Sequence, residues 1–535
     1  MKRNTYALVS ALLGVFIGVM ACLICVRLAG PSKKFDGDYN RWRKLNLILE
    51  QVEENYVDTI DQKAMTDAAV MAALGKLDPH SVYLPPVELK ESETELAGNF
   101  DGIGIQFNVP NDTAIVLSVI PGGPSEKAGL LQGDRIIRVD DKVIAGMKTP
   151  QDSMVRLMKG PSGSKVKIVV NRDGEQIPFD ITRGKIPIHC VDAAFMIDAE
   201  TGYIKLAKFT RTTYVEFISA VSRLRAQGMN HLIFDLRENT GGYLDQAYML
   251  CNEFLEKGDK VVYMQGLHRS RSDLDADGKG TLKDVKLSVL IDEGSASSSE
   301  IFAGAMQDND RGVIIGRRSF GKGLVQEPIN FTDGSGLRLT VARFYTPSGR
   351  CIQKPYGDDY AYDIYERYAH GELTDADSIK VNRDDVYYTV GGRAVYGGGG
   401  IIPDIFVPMD TTRASTFYIQ CSKKATAMRF ASAMFDKYRS ELIQIDDFGQ
   451  LERWLDAHHL DRQFLDYAAA KDGLKPGPGE WKESEEYMMV QIKALVGRYS
   501  KVGEEAFYRF YIGIDRTLQE ALKPHALISL GKRGK

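Results

Sequence analysis

Apolar residues recur along the chain with spacings that change from one segment to the next. Between residues 39 and 97 they fall three and four positions apart, as in Leu45, Ile48 and Val52, which predicts helices. Alternating runs such as 103–107 predict short strands up to about residue 183. Farther along, apolar strands alternate with helical stretches, a pattern typical of a largely parallel sheet with helices on its faces.

These patterns predict a multidomain α/β protein, since a chain of 535 residues is too long for one hydrophobic core. Five segments follow from the changes in spacing and from the Gly- and Pro-rich breaks between them. They are an N-terminal anchor or signal segment (1–30), a helical segment (38–97), an α+β module of strands with two short helices (98–183), an α/β core (184–409) and an all-helical C-terminal domain (410–535).

The N-terminal segment differs from the rest of the chain because it is apolar and uncharged from Tyr6 to Val26. At about 21 residues it is long enough to cross a bilayer as a helix. Lys2 and Arg3 precede it, which predicts that the remainder of the chain lies outside the cytoplasm. A cleaved signal peptide, or a lipoprotein signal ending at Cys22, is the alternative reading.

Composition excludes several classes of function. The 44% hydrophobic and 26% charged content is that of a soluble globular protein, and the net charge of −4 is spread without a basic stripe, so nucleic-acid binding is not expected. The six cysteines have neither a disulfide framework nor, outside the apolar segment, zinc-ligand spacing. No metal or organic cofactor is expected.

Ser297 is the first candidate for chemistry, because HExxH, GxSxG and Walker motifs are absent from the chain. It follows an apolar strand at 286–291 and enters a predicted helix, which places its hydroxyl at the carboxyl edge of a parallel sheet. There the amide of Ser298 is available to stabilise an oxyanion. The structural alternative is a capping box, in which Ser297 and Glu300 only satisfy the end of the helix.

Lys322 is the candidate base. Only about one lysine in 2,500 is neutral at pH 7 when its pKa is about 10.4, so catalysis requires burial that lowers this pKa. Lys322 lies between two glycines and near Phe320, Leu324 and Val325, a setting that permits dry packing. The alternative is an ordinary lysine in a tight turn.

Two further motifs carry weaker signals. The run 238–242, Glu-Asn-Thr-Gly-Gly, has the glycines of a trypsin-like site but threonine in place of the nucleophile. Asp273, Asp275 and Asp277, followed by Asp284, have the spacing of a calcium loop but lack the expected glutamate and flanking helices. A solvated loop without a metal is predicted there.

The module at 98–183 resembles a PDZ domain of the bacterial protease type. The resemblance rests on the runs 124–130, Pro-Ser-Glu-Lys-Ala-Gly-Leu, and 133–136, Gly-Asp-Arg-Ile. It implies that a polypeptide tail adds as a strand to the sheet edge while a glycine-flanked loop binds the terminal carboxylate. The residues expected to bind the tail are Gly102, Ile103, Gly104, Ile105 and Lys159. The family often has arginine at the last of these positions, and lysine lacks its bidentate geometry.

The chain as a whole resembles the carboxy-terminal processing peptidases, or tail-specific proteases. The matching runs are Leu-Asp-Pro-His-Ser at 77–81, Asp-Leu-Arg-Glu-Asn-Thr-Gly-Gly at 235–242 and Gly-Ile-Ile-Pro-Asp at 400–404. The resemblance implies an α/β serine-lysine peptidase core with Ser297 as nucleophile, Lys322 as base and Gln326 as a supporting amide. The oxyanion hole would use the amide of Ser298 and that of either Gly241 or Gly242.

The resemblance also implies a function and a location. The expected enzyme is a serine peptidase that processes or degrades extracytoplasmic proteins from their C-termini, with a preference for apolar tails, and that is anchored in the inner membrane of a bacterium with its catalytic part in the periplasm. The alternatives are a catalytically silent PDZ scaffold and a peptidase of the same fold that takes free oligopeptides. The helical domains are candidate surfaces for a homo-oligomer.

Overall fold

The computed structural model of the protein describes residues 36–110, 112–357, 360–381 and 384–524. The predicted membrane segment, Tyr6 to Val26, lies outside these residues. Within them, no helix is both long enough and apolar enough to cross a bilayer. The membrane segment therefore stays a prediction.

The chain divides into two compact units between Lys76 and Leu77. The described part of the first unit contains helices α1 (Asp36–Asn55) and α2 (Gln62–Leu74). Helix α2 is capped by Asp61, whose side chain accepts a hydrogen bond from the amide of Ala64 at 3.0 Å. Both helices occur where the spacing of apolar residues predicts them.

The second unit begins with a strand that the sequence analysis did not predict. Residues Val82–Leu84 form β1, which pairs antiparallel with residues 336–338, far along the chain. Helix α3 (Pro86–Leu96) follows. The helical segment predicted for residues 38–97 therefore also contains a strand, which the sequence analysis missed because three residues are too few to show a strand period.

The alternating runs between residues 98 and 183 fold into a small β-module. Its main sheet has the strand order β3-β4-β5-β7-β8, with β6 paired to β5, while β2 pairs with β9. The side chains of Ile103, Met154 and Met158 share its buried core. Its elements are β2 (Asn99–Gly102), β3 (Ile105–Asn108), β4 (Ala114–Val119), α4 (Pro124–Ala128), β5 (Arg135–Val139), β6 (Lys142–Val143), α5 (Gln151–Met158), β7 (Lys165–Arg172), β8 (Glu175–Thr182) and β9 (Gly184–Pro187).

A six-stranded sheet with the order β10-β11-β12-β15-β16-β21 forms the centre of the α/β core. The strands from β11 onward run parallel, as predicted, and β10 is antiparallel. Helices α6 to α8 cover one face, where the rings of Phe217, Phe234, Phe254 and Phe302 are in contact. The elements are β10 (Val191–Met196), β11 (Thr201–Leu206), α6 (Thr213–Ala226), β12 (His231–Asp235), α7 (Leu244–Phe254), β15 (Lys286–Ile291), α8 (Ser298–Asp308), β16 (Val313–Gly316) and β21 (Ile405–Phe406).

A second sheet lies beside the central one and carries the segment after Lys322. Its order is β1-β18-β13-β14, with β17 also paired to β18. The strands not yet given are β13 (Lys260–Gly266), β14 (Arg269–Asp275), β17 (Leu324–Asn330) and β18 (Gly336–Tyr345). Helix α9 (Asp363–Ala369), the hairpin of β19 (Val386–Tyr388) and β20 (Ala394–Tyr396), and short 3₁₀ turns at Tyr360–Tyr362 and Ala376–Ser378 complete this part.

The C-terminal region is helical, as predicted, but it is not wholly separate from the core. Helices α10 to α14 contribute most of a hydrophobic cluster of their own. The last two helices instead cover the second face of the central sheet, where Leu518 and Ala521 pack with Ile233, Leu290 and Ile315. The helices are α10 (Thr416–Lys423), α11 (Thr426–Leu442), α12 (Phe448–Ala457), α13 (Leu460–Asp472), α14 (Glu480–Gly497), α15 (Glu504–Tyr511) and α16 (Arg516–Ala521).

Candidate active site

Ser297 lies where the turn after β15 enters helix α8, at the N-cap position. Its φ angle is +54°, in the left-handed region that residues with a side chain seldom adopt. Because β15 is an inner strand of the parallel sheet, the serine is at the carboxyl edge where ligands of α/β proteins bind. Strained backbone at such a position is typical of active sites.

The carboxylate of Glu300 connects the serine segment to the lysine segment. Its Oε2 accepts hydrogen bonds from the amides of Ser297 and Lys322, both at 2.8 Å. Its Oε1 accepts from the amide of Gly321 at 2.7 Å and from the hydroxyl of Ser319 at 2.5 Å. Burial raises the pKa of Glu300, and these donors oppose that shift. The capping role considered for this glutamate is thus present, but the same carboxylate also fixes the turn that carries the lysine.

Lys322 and Gln326 lie together at the start of β17. Nζ of Lys322 donates to Oε1 of Gln326 at 3.3 Å. Burial lowers the pKa of Lys322, and the positive charge of Arg338 lowers it further, while the charges of Glu300 and Asp78 act in the opposite direction. A lower pKa increases the neutral fraction of the amine, which is the form that accepts a proton.

A segment without a chemical signature in the sequence orients the amide of Gln326. Nε2 of Gln326 donates to the backbone carbonyl of His80, which leaves Oε1 facing Lys322. The carboxylate of Asp78 holds this segment by accepting from the amides of His80 and Ser81, both at 2.8 Å. Sequence reasoning found residues 77–81 only as part of the resemblance, because the group that acts is a backbone carbonyl.

The loop after β12 brings two glycines against the start of α8. A Cβ atom on Gly241 would lie 2.8 Å from Cβ of Ser297 and from the amide nitrogen of Ser298, so only glycine allows this approach. The amide of Gly241 already donates to Oδ1 of Asn239 at 2.9 Å. Within the described part of the chain, the amide of Gly242 has no acceptor. Gly242 is therefore the glycine with a free donor near Ser297.

One cavity of about 940 Å³ contains the candidate residues. Its lining includes Ser297, Ser298, Gly241, Gly242, Lys322 and Gln326. Beside them the wall includes the apolar side chains of Leu244, Ile301 and Phe344 and charged side chains of both signs, among them Lys208 paired with Glu95. The arrangement combines a hydroxyl, an amine of lowered pKa and free amide donors in one volume.

The residues predicted to bind a polypeptide tail come together at one end of the β-module. Gly104 has a φ of +78°, and the following residue, Ile105, begins β3, which is an end strand of its sheet. The carbonyl of Ile103 accepts a hydrogen bond from the amide of Ser125 at 2.9 Å. Lys159 follows α5, and a Cβ on Gly102 would lie 4.0 Å from its side chain.

Of the aspartates with calcium-loop spacing, Asp277 and Asp284 lie in the loop between β14 and β15, as predicted, whereas the other two lie in a strand. Asp273 and Asp275 belong to strand β14, and Nζ of Lys260 lies 2.6 Å and 2.8 Å from their carboxylates. Asp284 is paired with Arg225 at 3.1 Å. Throughout the described ranges, no group of three or more acidic, histidine or cysteine side chains is arranged to hold a metal ion.

Comparison with known proteins gives two family matches. The model of peptidase family S41 matches residues 200–362, and that of the PDZ domain matches residues 102–182. The carboxy-terminal-processing protease of Bartonella bacilliformis is 36% identical over 347 residues, which are 64% of this chain and 78% of that protein. The carboxy-terminal processing protease CtpA of Bacillus subtilis is 32% identical over 328 residues, 61% of this chain and 70% of that protein. Among solved structures, the photosystem II D1 C-terminal processing protease is 28% identical, covers 73% of this chain and 92% of its own, and has a TM-score of 0.38.

Proposed function

Because the chain belongs to peptidase family S41, with carboxy-terminal processing proteases as relatives, and is a serine-type peptidase, we propose that Ser297 and Lys322 form its catalytic dyad. The observation that carries this proposal is the buried carboxylate of Glu300, which binds the backbone amides of both residues. It ties the backbone of Ser297 to that of Lys322, and both residues line the same cavity. A pure binding protein has no need of this arrangement.

The reaction follows from the roles of these groups. Neutral Lys322 removes the proton of Ser297 Oγ as this oxygen attacks the peptide carbonyl, and the oxyanion of the tetrahedral intermediate accepts hydrogen bonds from backbone amides. Collapse breaks the C–N bond, and the lysine ammonium gives its proton to the leaving amine. Lys322 then deprotonates a water that hydrolyses the ester, and the released serine oxygen takes the proton back. Gln326 orients the amine throughout.

The oxyanion donors in this proposal are the amides of Ser298 and Gly242. Gly242 is preferred to Gly241 because the amide of Gly241 is already used by the side chain of Asn239. Gly241 has a different task, since its missing side chain lets the loop approach Ser297. In this proposal both amides donate to the same oxyanion, which is the electrostatic stabilisation that acyl transfer requires.

The dyad is tested with Ser297→Ala and Lys322→Ala variants of the full chain in detergent, acting on a protein with an apolar C-terminal tail. Each variant is expected to lose at least about a thousandfold in kcat while binding the substrate normally. Ser272→Ala and Lys279→Ala, on exposed side chains that do not line the cavity, are the matched controls. Full activity in either dyad variant contradicts the assignment.

We also propose that the PDZ domain captures the C-terminus of the substrate. The segment 102–105, from the end of β2 to the start of β3, offers amides to the terminal carboxylate, the outer edge of β3 accepts the tail as an added strand, and Lys159 contributes positive charge. Amidation of the substrate's C-terminus should then raise KM about tenfold or more, and Lys159→Gln should reduce this discrimination. Equal cleavage of free and amidated substrates would favour an oligopeptide-cleaving peptidase.

Localisation is proposed from the N-terminal segment alone. Residues 6–26 anchor the chain in the inner membrane, Lys2 and Arg3 stay in the cytoplasm, and the peptidase faces the periplasm. Fractionation of bacterial cells that express the full chain should recover it with the membrane, and external protease should digest it only after the outer membrane is opened. Recovery of a shortened, soluble form would instead indicate a cleaved signal.

A further inference from the structure

The loop that carries Gly242 begins at an arginine held by the C-terminal helices. Arg237 is the second residue after strand β12, and its guanidinium lies between the carboxylates of Asp235 and Asp515. Asp235 belongs to the strand itself. Asp515, in contrast, is the N-cap of helix α16, 278 positions away in sequence, and accepts a hydrogen bond from the amide of Leu518 at 3.1 Å.

The guanidinium of Arg237 is engaged from both sides. Nη2 donates to Oδ2 of Asp235 and to Oδ2 of Asp515, both at 2.6 Å. Nε donates to Oδ1 of Asp235 at 3.1 Å, and Nη1 donates to Oδ1 of Asp515 at 3.0 Å. Both pairs are bidentate, the geometry in which arginine fixes direction as well as distance. The side chains of Asp235 and Asp515 are only 1% and 16% exposed, so solvent screens these contacts weakly.

The loop 237–242 connects Arg237 to Gly242, whose backbone amide is the proposed oxyanion donor. Glu238 has a φ of +59°, and its amide donates to Oδ1 of Asp292 at 2.9 Å. The carbonyl of Asn239 accepts the amide of Ala296 at 3.0 Å, and that of Gly242 accepts Oγ of Ser298 at 2.9 Å. The loop 237–242, which leads from β12 to α7, is thus held against the start of helix α8 by hydrogen bonds.

The charges explain why both carboxylates are needed. Lys205 also lies at this point, with Nζ 3.4 Å from Asp235 and a hydrogen bond to the carbonyl of Arg237. Arg237 therefore shares Asp235 with a second cation. Without Asp515 the guanidinium keeps only this shared carboxylate and is no longer held from the side of helix α16.

We propose that Asp515 is a positioning residue for the peptidase reaction, which holds Arg237 and, through it, the loop whose Gly242 amide stabilises the oxyanion. The proposal rests on the oxyanion role assigned to Gly242 above. It gives the C-terminal helices a part in catalysis in addition to covering the central sheet. Asp515 touches neither substrate nor reacting atoms, so its removal should affect the transition state more than substrate binding.

The test compares Asp515→Asn with the parent in the full chain. We expect kcat to fall about 10- to 100-fold with KM nearly unchanged, as for other displacements that originate away from the reacting atoms. Asp515→Glu, which keeps the carboxylate, should recover part of the loss. The affinity for a peptide boronate, whose tetrahedral adduct on Ser297 places an oxygen in the hole, should fall in parallel with kcat/KM.

Asp472→Asn is the matched control, since both carboxylate oxygens of Asp472 accept from Nη2 of Arg429 inside the C-terminal helical cluster, away from the sheet. It should lower Tm without changing kcat per folded molecule. If Asp515→Asn behaves in the same way, with unchanged boronate affinity, Asp515 is merely structural and the inference is overturned.

A double variant separates this inference from the proposed function. If Asp515 acts through Arg237, then Asp515→Asn in an Arg237→Gln background should cause no further loss of kcat, whereas full additivity would contradict the route. If the parent itself neither cleaves the substrate nor binds the boronate, the proposed dyad has failed. A parent that does both, beside an Asp515→Asn variant that matches it, rejects the positioning role alone.

Discussion

Replacement of Glu300 by glutamine is the most direct perturbation of the link between Ser297 and Lys322. The amide keeps one acceptor oxygen, but its NH₂ group faces two of the four donors that the carboxylate now binds. Each buried donor left without an acceptor costs about 1–3 kcal/mol, so the variant should lose roughly 2–6 kcal/mol of stability. The lower half of this range is expected, because burial raises the pKa of Glu300 and a neutral side chain escapes that desolvation cost.

The loss should appear in two measurements. Calorimetry should show a lower Tm, and kcat measured well below that Tm should fall about 100-fold, since the turn that carries Lys322 is no longer fixed to the serine segment. Asp308→Asn is the control. Asp308 is another buried acid of helix α8, and it accepts from Arg350 at 2.7 Å, but it binds neither segment of the dyad.

Asp308→Asn should therefore lower Tm at least as much while kcat per folded molecule is retained. The reasoning is refuted if Glu300→Gln keeps the kcat of the parent, or if both variants lose activity only in proportion to the unfolded fraction. Either result would mean that Glu300 supports the fold without organising the dyad.

Three other outcomes follow from the structure. Arg338→Gln removes a charge that lowers the pKa of Lys322, so the acid limb of the pH profile of kcat/KM should move to higher pH, whereas Arg338→Lys should leave it in place. Gly242→Ala should abolish activity and lower Tm, because the new Cβ would lie 1.9 Å from the carbonyl oxygen of Phe209. Burial lowers the pKa of His231 to about 4. Below pH about 6.5 the imidazole therefore binds a proton in the unfolded chain, whereas in the folded chain it stays neutral down to about pH 4. The free energy of unfolding should therefore decrease as the pH falls from about 6.5 to about 4, by at most about 3 kcal/mol. Urea titrations at several pH values should show this decrease in the parent and not in His231→Gln.

The parts of the site that depend on the succession of strands, turns and helices along the chain could be predicted from the sequence. A strand, a turn and a helix place Ser297 at a sheet edge, and the lysine follows in a glycine turn. The spacing of apolar residues therefore made both candidates, and the resemblance to the carboxy-terminal processing peptidases gave them their roles. The prediction of a helical C-terminal region succeeded for the same reason, since long periodic segments are the most readily recognised.

What the sequence did not provide are contacts between distant segments. Three such contacts depend on tertiary structure. They are the donation of the Gly321 amide and the Ser319 hydroxyl to Glu300, the hydrogen bond from Gln326 to the carbonyl of His80, and the pairing of Arg237 with Asp515. None has a local period or motif. Strand β1 escaped notice because it is short, and β14 because its exposed acidic side chains have the composition of a loop.

Helices α15 and α16 cover the central sheet but are among the last parts of the chain to be synthesised. A nascent chain that has reached residue 406 already contains Ser297, Lys322 and every strand of the central sheet, yet one face of that sheet is still bare. The missing layer is made only with residues 504–521. The central sheet is therefore not covered on both faces until this late segment has docked, so the fold is completed only at the end of synthesis.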